Sequence, residues 1–320
     1  MHAAWHPSDP KRRAMLLQTL HSIDPTPLAG WTDVVSLVPA VRDAVGSAMY
    51  WQEPDDVDVL LRDREVRAAL EPIAEALVRS PATAWWGEGV DLASLRFTAS
   101  IEDDDEATPA RIRRQSISWQ RWRRELLQRS GDLRLTSAGP PATAASGFWW
   151  STPSKPGVIT TTRPIPGLGA VDLVWEEDTA DPQTVAVWSM TAAGAPRIFE
   201  IDGPSAWVDL VRRYPLDTTG EHRGDWYRVT GRDGAWHTPD WAAAAADYDA
   251  VHLTVAGYLV TASRSLRVSS DGSVGTVLAG WGPDQTWWLN DLLEPATAPE
   301  RWSRLDEFGQ SDEHWRRTSG

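Results

Sequence analysis

The residues Asp247-Tyr248-Asp249-Ala250-Val251-His252-Leu253-Thr254-Val255 place the densest polar cluster of the chain inside an apolar segment. His252 and Thr254, two residues apart, would share one face of a strand, with Val251, Leu253 and Val255 on the other. An imidazole beside a hydroxyl can exchange a proton with a bound group, so His252 is the candidate acid or base. Arg163 closes the run Val158-Ile159-Thr160-Thr161-Thr162, where a guanidinium beside hydroxyls could clamp a phosphate. A pocket is expected where the 157–163 strand, a 225–228 strand and the 249–258 segment converge. Arg163, Trp226, Tyr227, Arg228, Asp249, His252, Thr254 and Tyr258 would line it, because polar groups interrupt otherwise apolar elements there.

Two resemblances attach to these residues. The apolar-His252-apolar-Thr254-apolar pattern resembles the repeated element of two-histidine phosphoesterases, which use a pair of such elements; one is present here. Arg163 with Trp226-Tyr227-Arg228 resembles the pocket of NAD-using ADP-ribosyltransferases, which implies NAD as ligand; that family also carries a glutamate on a late strand, and Glu294 is expected outside one. Across the second half, Asp225-Trp226-Tyr227-Arg228 and Thr238-Pro239-Asp240-Trp241 resemble tryptophan-rich proteins of high-GC bacterial genomes, a likeness that implies no activity.

Other chemistry is excluded more directly. Cysteine is absent, which removes disulfides, thiolate metal sites and cysteine nucleophiles. The seven histidines are scattered along the chain, so no metal is expected. Gly87-Glu88-Gly89 and Gly167-Leu168-Gly169 lack a third glycine in a strand-to-helix turn, and no other cofactor motif occurs, so no cofactor is expected. With 31 basic against 45 acidic residues the net charge is −14, which disfavours nucleic acid and anionic membrane as partners. Only Lys11 and Lys155 are lysines; the remaining cations are arginines. Lys11-Arg12-Arg13 followed by Ala14-Met15-Leu16-Leu17 imitates a secretion signal, but the apolar run stops at Gln18. No run of 18 apolar residues occurs, and a cytoplasmic location is expected.

The elements that must position the site divide at 137–147, a Gly/Pro/Ala/Ser stretch that reads as a linker. The expected fold is α+β: a mainly helical region over 1–140, then over 141–320 a mixed, largely antiparallel sheet with covering helices, as two domains or one continuous core. Helices are expected over 33–49 and 55–79, the second from Val59, Val66, Leu70, Ile73 and Leu77, with a kink or break at Pro72. The acidic run 102–106 should be a loop. Thr108-Pro109 should then open one helix over 109–129, with Ile112, Trp119, Trp122 and Leu126 on its apolar stripe. Its seven arginines read as a solvated face paired with that acidic loop.

Strands are expected at 157–162, 170–176, 184–190, 197–201, 226–230 and 251–255. Strands near 274–281 and 285–289 should form a hairpin through Gly282-Pro283-Asp284, and a short helix should lie near 299–308. Covering helices should follow Gly203-Pro204 and Thr238-Pro239-Asp240. Twenty tryptophans against four phenylalanines imply a core built on indoles. The doublets Trp85-Trp86, Trp149-Trp150 and Trp287-Trp288 need both faces covered, or leave one ring as a stacking platform. Two functional classes follow. The first is a non-catalytic protein that binds a small molecule or a protein partner. The second is an enzyme acting on NAD or another phosphate-bearing molecule, with Arg163 as clamp and His252 as acid or base.

Overall fold

The computed structural model describes residues 9–102, 105–106, 108–136, 139–144, 146–175, 183–305 and 311–318. Four helices come first: α1 (Pro10–Ser22), α2 (Val38–Gly46), α3 (Asp56–Arg62) and α4 (Arg64–Val78). The 55–79 stretch is two helices, but they meet at Asp63, and Pro72 sits inside α4. Capping decides the position. Asp55 and Asp58 form a capping box at the start of α3, and the Asp63 carboxylate accepts from the Glu65 and Val66 amides to open α4. Val66 and Ala69 of α4 bury against Leu17 and Leu20 of α1.

The acidic run is not a free loop: β1 (Arg96–Glu102) and β2 (Asp105–Glu106) pair antiparallel across it, with Glu102 opposite Asp105. The helix expected over 109–129 is likewise two, α5 (Pro109–Arg114) and α6 (Trp119–Thr136). Ser118 restarts the chain, its hydroxyl accepting from the Arg121 amide and its carbonyl from Trp122. Four of the α6 arginines pair with described carboxylates elsewhere. Arg121 meets Glu125, Arg123 meets Asp240, Arg129 meets Glu221 and Arg134 meets Asp217.

Beyond residue 140 follow β3 (Ile159–Thr161), β4 (Pro164–Ile165), β5 (Gly169–Ala170), β6 (Thr184–Ala192) and β7 (Ile198–Ile201). Then come α7 (Pro204–Arg213), β8 (Pro215–Asp217), α8 (Thr219–Thr230), β9 (Ala235–Pro239), α9 (Trp241–Asp247), β10 (Ala250–Leu253) and α10 (Val255–Thr261). The chain ends with β11 (Leu266–Arg267), β12 (Val274–Thr276), β13 (Thr286–Trp288), β14 (Leu293–Pro295), β15 (Glu300–Leu305) and β16 (Ser311–Arg317). The architecture is α+β, with its strands in several sheets. One runs β16-β15-β6-β1-β2 with β14 also on β6, a second β3-β13-β10-β7, a third β11-β12-β9-β8, and β4 pairs with β5. The pairs β10–β7 and β12–β9 are parallel, and the others are antiparallel.

Several sequence expectations are corrected. Residues 226–230 are the end of α8, not a strand, and Gly231 stops the helix in the left-handed region at φ 67°. Of the strand expected over 170–176, the described residues 170–175 hold only the end of β5 and a 3-10 turn over Val171–Leu173; residue 176 lies outside them. The strand at 251 ends at Leu253, because the Thr254 hydroxyl accepts from the Gly257 amide and starts α10. All four β10 residues are buried, so that strand is covered on both sides. The strands β12 and β13 belong to different sheets and form no hairpin. Residues 300–305 are a strand that buries Trp302 against Val185 and Val187, not a helix, and Glu294 lies on β14.

The largest buried cluster joins Val38, Val41 and Val45 of α2 and Trp122 and Leu126 of α6 to Trp207, Trp241 and Trp281. It therefore draws on both sides of residue 140. Of the doublets, Trp287-Trp288 alone lies in a strand. No described helix is long and apolar enough to cross a membrane.

The helices α6 and α8 approach backbone to backbone at Gly220. A Cβ at Gly220 would lie 1.8 Å from the Ser130 carbonyl oxygen. The substitution Gly220→Ala should therefore cost about 1–3 kcal/mol in urea denaturation, the range for overpacking. An unchanged midpoint would show that the two helices do not meet there.

Candidate functional site

His252 and Arg163 do come together, but through a residue that sequence reading assigned to a turn. His252 sits in register between Glu200 on β7 and Thr286 on β13. Its Nδ1 lies 2.5 Å from Glu200 Oε2 and its Nε2 3.4 Å from Asp284 Oδ1. Asp284, held at φ 59°, accepts from the Arg163 amide and from Arg163 Nε, both at 2.7 Å. Arg163 then reaches Glu88 at 3.0 Å and the Gly89 carbonyl at 2.9 Å, with its guanidinium over the Trp85 ring. Trp85 in turn stacks parallel on Trp175. Glu200 closes the chain of contacts by accepting from the Val90 amide.

This relay, Glu88–Arg163–Asp284–His252–Glu200, pins the 88–90 loop to the β3-β13-β10-β7 sheet. The His252 side chain is 1% exposed and Arg163 only 11%. Burial pushes the His252 pKa down, but the adjacent carboxylates of Asp284 and Glu200 favour the protonated ring and outweigh it, and the net shift is upward. Three carboxylates surround the pair, the reverse of the electropositive setting that a phosphate requires.

The remaining residues named from sequence fall elsewhere. Asp249 accepts from the Arg197 amide and guanidinium and from Asn290, and these bonds, Arg197 first, hold its pKa down at about 2. Thr254 caps α10, and Tyr258 is buried in the largest cluster. Trp226, Tyr227 and Arg228 ride on α8. Trp226 donates to the Trp149 carbonyl at 2.9 Å, Arg228 bonds Asp225 and the Ala142 and Ala144 carbonyls, and Tyr227 is half-buried. Fully buried Asp225 accepts from Ser146 and from the Gly147 and Phe148 amides. These α8 groups hold the 142–149 segment in place.

What that segment carries is the second candidate. A cleft of about 280 Å³ lies between α6, α8 and residues 148–156. Its wall is one face of α6, where Trp122, Glu125, Leu126 and Arg129 recur at helical spacing. Glu221 and His222 of α8 form the floor with Thr238 and Trp241. At the rim, Trp150 is 45% exposed, the one described tryptophan that stands open. It stacks on Trp149 at 4.5 Å and 27°, and Trp149 stacks on Tyr50 at 5.3 Å and 12°. The Trp150 carbonyl faces His222 Nε2 at 3.0 Å, while His222 Nδ1 faces the Thr218 carbonyl at 3.0 Å. Gly280, at φ 77°, leaves the space that Trp150 fills, since a Cβ there would lie 2.5 Å from Trp150 Cδ1.

Buried Glu221 hydrogen-bonds the Arg129 Nε, and Arg129 also lies over the Phe148 ring. The cleft thus combines an open indole, hydroxyls and an ion pair, the make-up of a ligand site. The tryptophan doublet and the Arg/Trp alternation of α6 were visible in the sequence. Glu221 and His222 gave no signal, because α8 has no apolar stripe to mark it as a helix.

Two measurements check the relay. Arg163→Ala strands buried Asp284 and should destabilise the fold by about 3–5 kcal/mol in chemical denaturation; a loss below about 1 kcal/mol would show the pair to be solvated. The raised His252 pKa makes its stabilisation complete below the ordinary value near 6.5 and lost as pH rises through the folded value. The wild type should lose stability above that pH relative to His252→Gln; a gap that stays constant from acid to alkaline pH would contradict the assignment.

Compared with known proteins, the chain matches no family model, no curated protein and no solved structure, so its function is read from this geometry alone.

Proposed function

We propose that this is a non-catalytic binding protein whose small ligand sits in the cleft between α6, α8 and residues 148–156. The observation that supports it is Trp150: an indole nearly half open to solvent, backed by Trp149 and Tyr50 and fixed through its carbonyl. A ring held in place before binding loses little entropy when a ligand covers it. Exposing an indole in this way costs hydrophobic burial that the fold could have used, which favours a role in contact. A cytoplasmic setting suits a chain without cysteine.

The reading as an enzyme on NAD or another phosphate-bearing molecule has less behind it. Arg163, its anion clamp, is engaged by Asp284 and Glu88, and His252 is enclosed. The arginines of α6 at 121, 123, 129 and 134 are likewise paired with carboxylates, which leaves little basic surface there for nucleic acid.

A thermal-shift screen over neutral sugars, amines, nucleotides and sugar phosphates tests the reading. A ligand that raises the midpoint of the wild type should leave Trp150→Ala unshifted, while that variant alone loses no more than about 1–2 kcal/mol. A ligand whose shift survives Trp150→Ala but vanishes in Arg163→Ala would move the site to the relay.

A further inference from the structure

Resting on that reading of the cleft, we infer that its ligand is a neutral saccharide, with a pyranose ring lying on Trp150 and neighbouring hydroxyls bridging Arg129 and Glu221.

The charge pattern of the cleft narrows the class. Glu221 is 4% exposed and is neutralised by Arg129. An anionic ligand on the Arg129 terminal nitrogens would bring a second negative charge beside the buried Glu221 carboxylate, which the one guanidinium already neutralises, and the like-charge repulsion opposes it. A cationic ligand would meet the Arg129 guanidinium, and the Phe148 ring is already covered by Arg129. A neutral ligand disturbs neither group.

The open valences then fit a polyol. Arg129 engages Glu221 through Nε, so its terminal nitrogens and the second Glu221 oxygen have no hydrogen-bond partner among the described residues. Donors and an acceptor thus stand side by side. Of two adjacent hydroxyls, one can accept from the guanidinium while the next donates to the carboxylate. The hydroxyls of Thr152 and Ser154 line the same cleft and offer both functions. Trp150 presents one open face, since the other is covered by Trp149 at 4.5 Å. The flat C–H face of a pyranose matches such a surface in size and polarity, and its ring-edge hydroxyls remain free to bond.

Isothermal titration calorimetry on the full chain tests this. The neutral probes are maltose, cellobiose and trehalose; the charged controls are choline, glucose 6-phosphate and AMP. At least one neutral disaccharide should bind the wild type, at least about tenfold weaker to Trp150→Ala and to Glu221→Gln. Circular dichroism checks the fold of both variants, and Trp150→Ala carries the test should Glu221→Gln unfold. If only choline, glucose 6-phosphate or AMP binds, with the same loss in Trp150→Ala, the saccharide class is overturned and the cleft stands as a site. If no probe gives heat that depends on Trp150, both the class and the site are overturned.

Discussion

The contact between Gly220 of α8 and the Ser130 carbonyl of α6 sets the geometry on which the site depends. Only a residue without a side chain lets the two helices meet backbone to backbone. That approach brings Arg129 onto Glu221 and Arg134 onto Asp217, and so fixes one wall of the cleft relative to its floor. One turn further along α8, Asp225, Trp226 and Arg228 hold residues 142–149, and with them the stacked pair Trp149–Trp150. A single helix therefore serves as floor and as scaffold for the opposite rim. Ligand sites held by supporting hydrogen bonds on rigid elements keep their geometry better than loops left to themselves.

A second principle recurs in the molecule: four of its arginines are engaged by buried or nearly buried carboxylates. Arg163, Arg197, Arg123 and Arg129 each end on a carboxylate that burial would otherwise penalise. The excess of acid over base makes this possible, because enough carboxylates remain after pairing to keep the surface negative. Guanidinium suits the task, since its fixed fork of donors can serve a carboxylate and a carbonyl together, as Arg163 does with Asp284 and Gly89. Lys155 is the exception. Its ammonium is buried among the Ser116 hydroxyl and the Ile117 and Pro156 carbonyls, over the Trp119 ring. Burial lowers its pKa, and it ties the start of α6 to the 155–157 turn.

Much of the fold was legible where apolar periodicity agreed with capping. The helices α4, α7 and α9 carry clear stripes or caps, and Asp240 accepts from the Ala242 and Ala243 amides as its sequence position implies. The failures share a cause. The buried face of α8 includes Glu221, His222 and Asp225, so no apolar stripe announces a helix, and Trp226-Tyr227-Arg228 mimics a strand by β propensity. Residues 300–305 looked helical because their tertiary partner, β6, lies more than a hundred residues away. Asp284 was read as a turn former, which it is, but its carboxylate was not visible as the link between Arg163 and His252. Side chains that act by meeting a distant partner leave no local pattern.

The central claim is that Trp150 is an open, pre-stacked surface that a ligand covers. Oxidative labelling of the intact protein, read residue by residue by mass spectrometry, addresses it directly. Trp150 should be oxidised ahead of Trp149 and Trp226, and a saturating neutral disaccharide should protect it while leaving the others unchanged. Oxidation of Trp150 no faster than that of Trp149, or at the same rate with and without disaccharide, would contradict the account.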